Sequence, residues 1–169
     1  MNTVLYDFFT ADHRRIEALL EKATQQPDEI DRELYHQFRI GLLKHIKMEE
    51  RILFPAAKKA NGGIDLPLQA RLKKDHGALT ALLVVSPNAG IIKILRHILE
   101  LHDELEEKEG GMYEACAALT QAETATLISA LQHTKEVPVH PHNDDAIALQ
   151  SAKNALQRAG YDFEQLLKE

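Results

Sequence analysis

Tryptophan is absent from this 169-residue chain, cysteine occurs once, and aromatic residues make up only 5% of it. The lone Cys116 excludes an internal disulfide framework and fits a reducing compartment, so the expected location is cytoplasmic. No apolar run approaches the roughly 20 residues of a membrane span. The opening MNTVLYDFFTADHRR lacks the basic start, apolar stretch and small-residue cleavage site of a secretory signal. Basic charge is scarce too: 20 Lys and Arg against 26 Asp and Glu leave a formal charge of -6, which argues against a nucleic-acid surface. Strand-like alternation is missing, and the 8 glycines and 6 prolines fall in a few clusters. What is present is 44% hydrophobic residues, enough for a core, and 9 histidines, a surplus against 5 phenylalanines.

The pattern predicts helices nearly throughout. A first helix is expected over residues 3–24, with Leu5, Phe8, Phe9, Ile16, Leu19 and Leu20 on one stripe and QQPDE as terminator. A second covers 28–60, kinked at Pro55, which lacks an N–H and crowds the preceding turn, and stops at the NGG turn of 61–63. A third begins near Pro67 and ends before SPNAG at 86–90. A fourth starts there with Ser86 as cap and is bent or broken at Gly110 and Gly111. Beyond it come a segment over 113–119, a helix opened by a TQAE capping box at 120–123 and reaching 136, a loop at 137–145, and a last helix to Arg158 stopped by Gly160. Four long helices with short connections predict an all-α, up-down-up-down four-helix bundle over 1–119. Residues 120–169 are expected as a helical extension, packed on the bundle or used for association, a homodimer included.

The chain also repeats itself. ADHRRIEALL at 11–20 matches KDHGALTALL at 74–83, and HIKMEE at 45–50 matches HDELEE at 102–107. The first two helices therefore form one unit and the next two its copy. A step of four residues turns a helical side chain by only about 40°, so His45 and Glu49 share a face, as do His102 and Glu106. His13 continues the stripe Leu5–Phe9–Ile16–Leu20, and His76 continues Leu68–Leu72–Leu79–Leu83. All six polar residues are in phase with faces that must point to the bundle axis. Burying them costs several kcal/mol per ionised group unless each finds a partner. A pair of divalent metal ions would satisfy them together; imidazole and carboxylate suit iron, manganese or zinc. The pseudo-two-fold gives each metal two histidines and leaves Glu49 and Glu106 central, while spacing leaves open which histidines pair.

The set His13, His45-x3-Glu49, His76 and His102-x3-Glu106, with Phe54–Pro55 after the first glutamate, resembles the hemerythrin-like, or HHE cation-binding, family over roughly residues 3–118. The resemblance implies a four-helix bundle around a non-haem di-iron centre, oxo- or hydroxo-bridged, with these six residues as ligands and the two glutamates as bridges. Oxygen-carrying hemerythrins place HxxxH on the third helix and HxxxxD on the fourth. Here Thr80 stands four after His76 and the fourth helix has HxxxE, which points away from simple reversible oxygen transport. The symmetric pattern is similar to the di-iron domain of iron–sulfur cluster repair proteins, whose cysteine-containing domain has no counterpart here.

Outside the set, His36 should face solvent, His97 should make a surface contact, and His133, His140 and His142 have no ligand spacing that outweighs an ordinary turn. Asp12 and Asp75 either reach a histidine on a neighbouring helix or are solvated, and Glu50 and Glu107 are expected on the polar face. Tyr6 is expected in the core, and Cys116 as a small buried residue. The leading function is binding or sensing of dioxygen, nitric oxide, peroxide or iron. The alternatives are an enzyme of nitric-oxide or peroxide detoxification or cluster repair, and a structural bundle with zinc or an empty site.

Overall fold

Apolar residues three and four apart give each long segment one face that must be buried, and the chain meets that demand by packing helices on helices. The computed structural model describes residues 3–26 and 28–169. Helix α1 spans Val4–Ala23 and buries Leu5, Phe9, Ile16 and Leu20. The expected QQPDE terminator includes Pro27, which lies outside the described residues. Then come α2 (Arg32–Met48), α3 (Phe54–Ala60), α4 (Gln69–Leu82) and α5 (Ala89–Glu107). Helix α1 lies along α2, and α4 packs on α5, in the expected all-α bundle. Among the described residues β structure is confined to an isolated bridge between Gln26 and Glu29, and no helix is long and apolar enough to cross a membrane.

The single kinked helix expected over 28–60 is in fact three segments. It starts at Arg32 because Asp31 caps it, accepting the Leu34 N–H at 3.0 Å. Residues Glu49–Leu53 then form a π-helical turn, in which the Phe54 N–H reaches back five residues to the Glu49 carbonyl. Pro55 thereby enters in the first turn of α3, where a missing N–H leaves no bond unmade. The ladder widens immediately ahead of the proline.

Two other caps differ from expectation. Ser86 precedes Pro87, which biases it toward extended backbone, so α5 starts later and Asn88 caps it, accepting the Ile91 N–H at 2.9 Å. The Ser86 hydroxyl donates to Asp144 instead, at 2.6 Å. Thr120 forms no capping box: its hydroxyl bonds back to the Cys116 carbonyl at 2.8 Å, and Gln121–Glu123 is a 3-10 turn. Gly110, at φ 72°, ends α5 as expected, and α6 (Met112–Leu119) doubles back across the bundle. Helix α7 is the short Thr124–Gln132; α8 (Ala146–Arg158) stops before Gly160, and α9 (Phe163–Lys168) follows.

The C-terminal helices dock on the bundle. Helices α6 and α7 meet α1, α8 lies along α4 and α9 along α5. Leu127, Leu131 and Leu156 are buried at these contacts, whereas Ile147 is 81% exposed. The buried residues form two apolar clusters. One gathers Ile16, Leu42, Leu79, Ile98 and Leu156, and the other Phe9, Met48, Leu72, Tyr113 and Cys116. Along each long helix the polar residues fall between these clusters, as His13 does between Phe9 and Ile16. The polar centre is therefore a layer between two hydrophobic ones. Because Leu156 is wholly buried against the first cluster, Leu156→Ala should lower stability by about 2–5 kcal/mol, read as a shift of the urea midpoint.

Candidate metal centre

All six residues picked out by periodicity meet in that layer, and they meet as two sets. His13, His45, Glu49 and Glu106 offer ligand atoms within 4.8 Å of one another, and so do Glu49, His76, His102 and Glu106. Both glutamates belong to both sets, and all six residues are buried. Glu49 turns Oε1 toward His45 Nε2 at 3.2 Å and Oε2 toward His76 Nε2 at 3.0 Å. Glu106 turns Oε2 toward His13 Nε2 at 3.2 Å and Oε1 toward His102 Nε2 at 3.1 Å. The histidines thus pair within each sequence repeat, the point that spacing left open.

Behind every imidazole stands a carboxylate. The Nδ1–H of His45 donates to Asp12 at 2.8 Å, that of His76 to Glu50 at 2.9 Å, that of His102 to Asp75 at 3.3 Å and that of His13 to Glu107 at 2.6 Å. A carboxylate can only accept, so each bond places a proton on Nδ1 and aims Nε2 at the centre. The four bonds run in one sense around the bundle: an acid on α1 holds the histidine of α2, the π turn after α2 holds α4, α4 holds α5, and α5 holds α1. This resolves the two readings of Asp12 and Asp75 in favour of the neighbouring helix. It also corrects the expectation for Glu50 and Glu107. Successive helical residues diverge by about 100°, enough to turn each of these acids from the centre but only as far as the adjacent helix. The repeated pairs DH and EE carried that signal, since each places an acid beside a core ligand in both halves.

Outer contacts hold the acids in turn. Arg15 pairs with Asp12 at 2.8 Å, Arg14 forks onto Glu107, and the Tyr161 hydroxyl donates to Asp75 at 3.1 Å. Tyr6 donates to the Glu107 carbonyl at 2.8 Å. The remaining histidines lie elsewhere: His36, His133 and His140 are exposed, His97 sits edge-on to Tyr161, and His142 lies beside Tyr35. Asp103 was not anticipated; it lies 3.6 Å from His13 Nε2, and burial raises its carboxyl to about 7 against the pull of His13.

Charge balance shows what the layer is built to hold. Burial opposes a charged ring at His13, yet Glu106 and Glu107 raise it to about 10; at His45, Glu49 and Asp12 overcome burial and raise it to about 9. Burial would raise the Glu49 carboxyl, but His45 and His76 hold it well below the usual range. Burial and the nearby Glu49 would raise Glu106, and His102 and His13 outweigh both. Protons on imidazole thus occupy the place of cations. Glu49 Oε2 and Glu106 Oε1 are buried, and each is met by one imidazole nitrogen, His76 Nε2 at 3.0 Å and His102 Nε2 at 3.1 Å. Both face the His76–His102 pair, and a carboxylate in a dry interior calls for positive charge beside it. The donor set fits a pair of cations bridged by two carboxylates. Cys116 adds no thiolate: burial, together with Glu49 and Glu106, pushes its thiol up.

Compared with known families, residues 4–145 match the Hemerythrin HHE cation binding domain. Neither a curated protein nor a solved structure matches the chain.

Two outcomes test this geometry. Asp12→Asn and Glu50→Gln should each weaken metal binding about 10- to 100-fold, while exposed Glu104→Gln leaves it unchanged, as measured by competition with a chelator. In metal-stripped protein the raised histidines stabilise the fold fully below their ordinary 6.5, and this contribution is lost as pH climbs through about 9 to 10. The depressed Glu49 and Glu106 act oppositely, losing theirs as pH falls below 4.5. Thermal unfolding of the stripped protein should therefore peak between these limits and decline toward pH 10.

Proposed function

The chain belongs to the family of hemerythrin HHE cation-binding domains, and on that premise we propose that it holds a non-haem pair of iron ions and uses them to bind or sense a small ligand or oxidant such as dioxygen, nitric oxide or peroxide. The observation that carries this reading is the division of Glu49 and Glu106, each with one oxygen toward either histidine pair. In this reading His13 and His45 hold one ion, His76 and His102 the other, and the glutamates bridge. Imidazole and carboxylate without thiolate suit iron in this role.

Bound iron would supply redox change and coordination positions open to a small ligand. The protein's own residues supply the rest. The four outer carboxylates fix the direction of the Nε2 lone pairs, so the rings need no reorganisation when a cation arrives. Leu42, Ile46, Leu79 and Leu99 form a dry wall over one face of the layer, beside His13, His45 and His102. They leave a cavity of about 20 Å³, room for roughly one water-sized molecule. That size favours a diatomic or peroxide over any larger substrate. Asp103 and Glu17 border the same cavity from α5 and α1, where a carboxyl near neutrality at Asp103 can hold or release a proton.

Protein purified anaerobically under reducing conditions should contain about two irons per chain and develop a visible absorption band on exposure to air. Colourless protein carrying zinc would overturn the redox reading. His45→Ala and Glu106→Ala should sharply lower iron retention while His36→Ala leaves it intact, and equal retention in all three would remove the ligand assignment.

A further inference from the structure

Tyr113 lies seven residues beyond Glu106, past the glycine pair that ends α5. The Gly111 position explains how it returns to the centre. A Cβ there would stand 2.7 Å from the carbonyl oxygens of Leu105 and Lys108, so only glycine lets the chain turn this closely over the end of α5. The first turn of α6 then carries Tyr113 into the bundle, where it is 1% exposed. Its ring stacks on Phe9 at 5.0 Å between centroids and meets the edge of Tyr6 at 6.4 Å, and this packing fixes the hydroxyl.

That hydroxyl sits among all four members of one ligand set. It donates to Glu49 Oε1 at 2.6 Å and lies 2.9 Å from Glu106 Oε2, 2.9 Å from His13 Nε2 and 3.1 Å from His45 Nε2. A phenol has one proton to give. Two carboxylate oxygens, which can only accept, therefore face one O–H, and one of the contacts lacks its proton. Here the polar atoms converge as ligands do, and a cation among them would answer every one.

Among the described residues the other histidine pair has no such group. His76 is faced by Phe54, whose ring lies parallel to it at 6.1 Å and carries no hydroxyl. On this side Glu49 Oε2 and Glu106 Oε1 meet imidazole nitrogens, at 3.0 and 3.1 Å, where the other two oxygens also meet a phenol. The pairing of histidines with glutamates is repeated in both halves, and the phenol breaks that symmetry.

We propose that Tyr113 is a protein donor to the cation held by His13 and His45, a seventh ligand with no counterpart at the His76–His102 position, so that the two ions are unequal and the second has one donor fewer. The inference rests on the two-cation reading above. Tyrosinate is an established iron ligand in haem catalase. The phenolic proton leaves to solvent as the cation takes its place, and the tyrosinate left behind offsets one unit of the cation's charge. The phenol closes the face opposite the small cavity, because Tyr113 belongs to the apolar cluster on the far side of the layer from Leu42 and Leu79.

The test loads full-length protein with ferric iron and records resonance Raman spectra within its visible band. Tyrosinate ring modes are expected, and Tyr113→Phe should lose them per bound iron while Tyr35→Phe keeps them. Absence of the modes from the parent protein, or their persistence in Tyr113→Phe, overturns the proposal. Should Tyr113→Phe fail to fold, 3-fluorotyrosine installed at position 113 alone keeps the phenol and its packing and must shift the modes; unshifted modes overturn the proposal. Titration with zinc, followed by tyrosinate ultraviolet absorption, separates this inference from the iron reading. Zinc bound with a tyrosinate signal that Tyr113→Phe abolishes supports the donor even if iron is not taken up. Zinc bound without that signal overturns the donor alone, and a protein that binds neither metal overturns both readings.

Discussion

A layer of imidazoles and carboxylates in an apolar interior persists only if every polar atom is answered, and this protein answers them with a closed ring of bonds between helices. Each of the four histidine Nδ1 atoms is held by its own acid on the adjacent helix. The consequence reaches beyond the site. Sliding one helix by a turn, about 5.4 Å, would break its bonds on both sides and leave buried charges unpaired, at several kcal/mol each. Apolar packing alone tolerates such shifts more easily, because leucine meets leucine in many registers. The ring therefore fixes the relative register of α1, α2, α4 and α5, while the hydrophobic layers above and below supply the bulk of the burial.

Backbone irregularity serves the same ring. Consecutive glutamates must both reach one imidazole, Glu49 and Glu50 on His76 and Glu106 and Glu107 on His13. A regular α-helix sends successive residues about 100° apart, which makes that grip awkward. In the first half the π turn at Glu49–Leu53 is wider and turns each residue by less. In the second half α5 simply ends at Glu107. Pro55 and the pair Gly110–Gly111 therefore set the local geometry of the two glutamates as well as the helix boundaries. Through Tyr161 on Asp75, the C-terminal segment joins the network too, so residues far along the chain steady a ligand on α5.

Much of the site was legible before any coordinates. The three- and four-residue periodicity that marks helices also marks which residues face inward, so His13, His45, Glu49, His76, His102 and Glu106 stood out as polar residues in apolar phase. Their repetition in both halves distinguished a constructed centre from scattered core histidines. Less legible were residues whose role depends on a neighbour. Glu50 and Glu107 lie off the apolar phase, and periodicity assigns such positions to solvent unless another helix stands there. Tyr113 follows a chain break, where helical phase no longer carries information across. Caps failed for a related reason: Ser86 and Thr120 had competing partners, Asp144 and the Cys116 carbonyl, that local pattern does not contain.

By itself the sequence determined that the chain is helical, which face of each long helix is buried, and that six side chains of metal-ligating chemistry lie on those faces, because rotation per residue is a local property of the backbone. The tertiary structure decided which histidines come together, which acid aims each ring, and that a phenol enters one half of the centre. Those are contacts between helices, fixed by the distance and rotation of one rod against another, and neither quantity is encoded in the periodicity of a single segment.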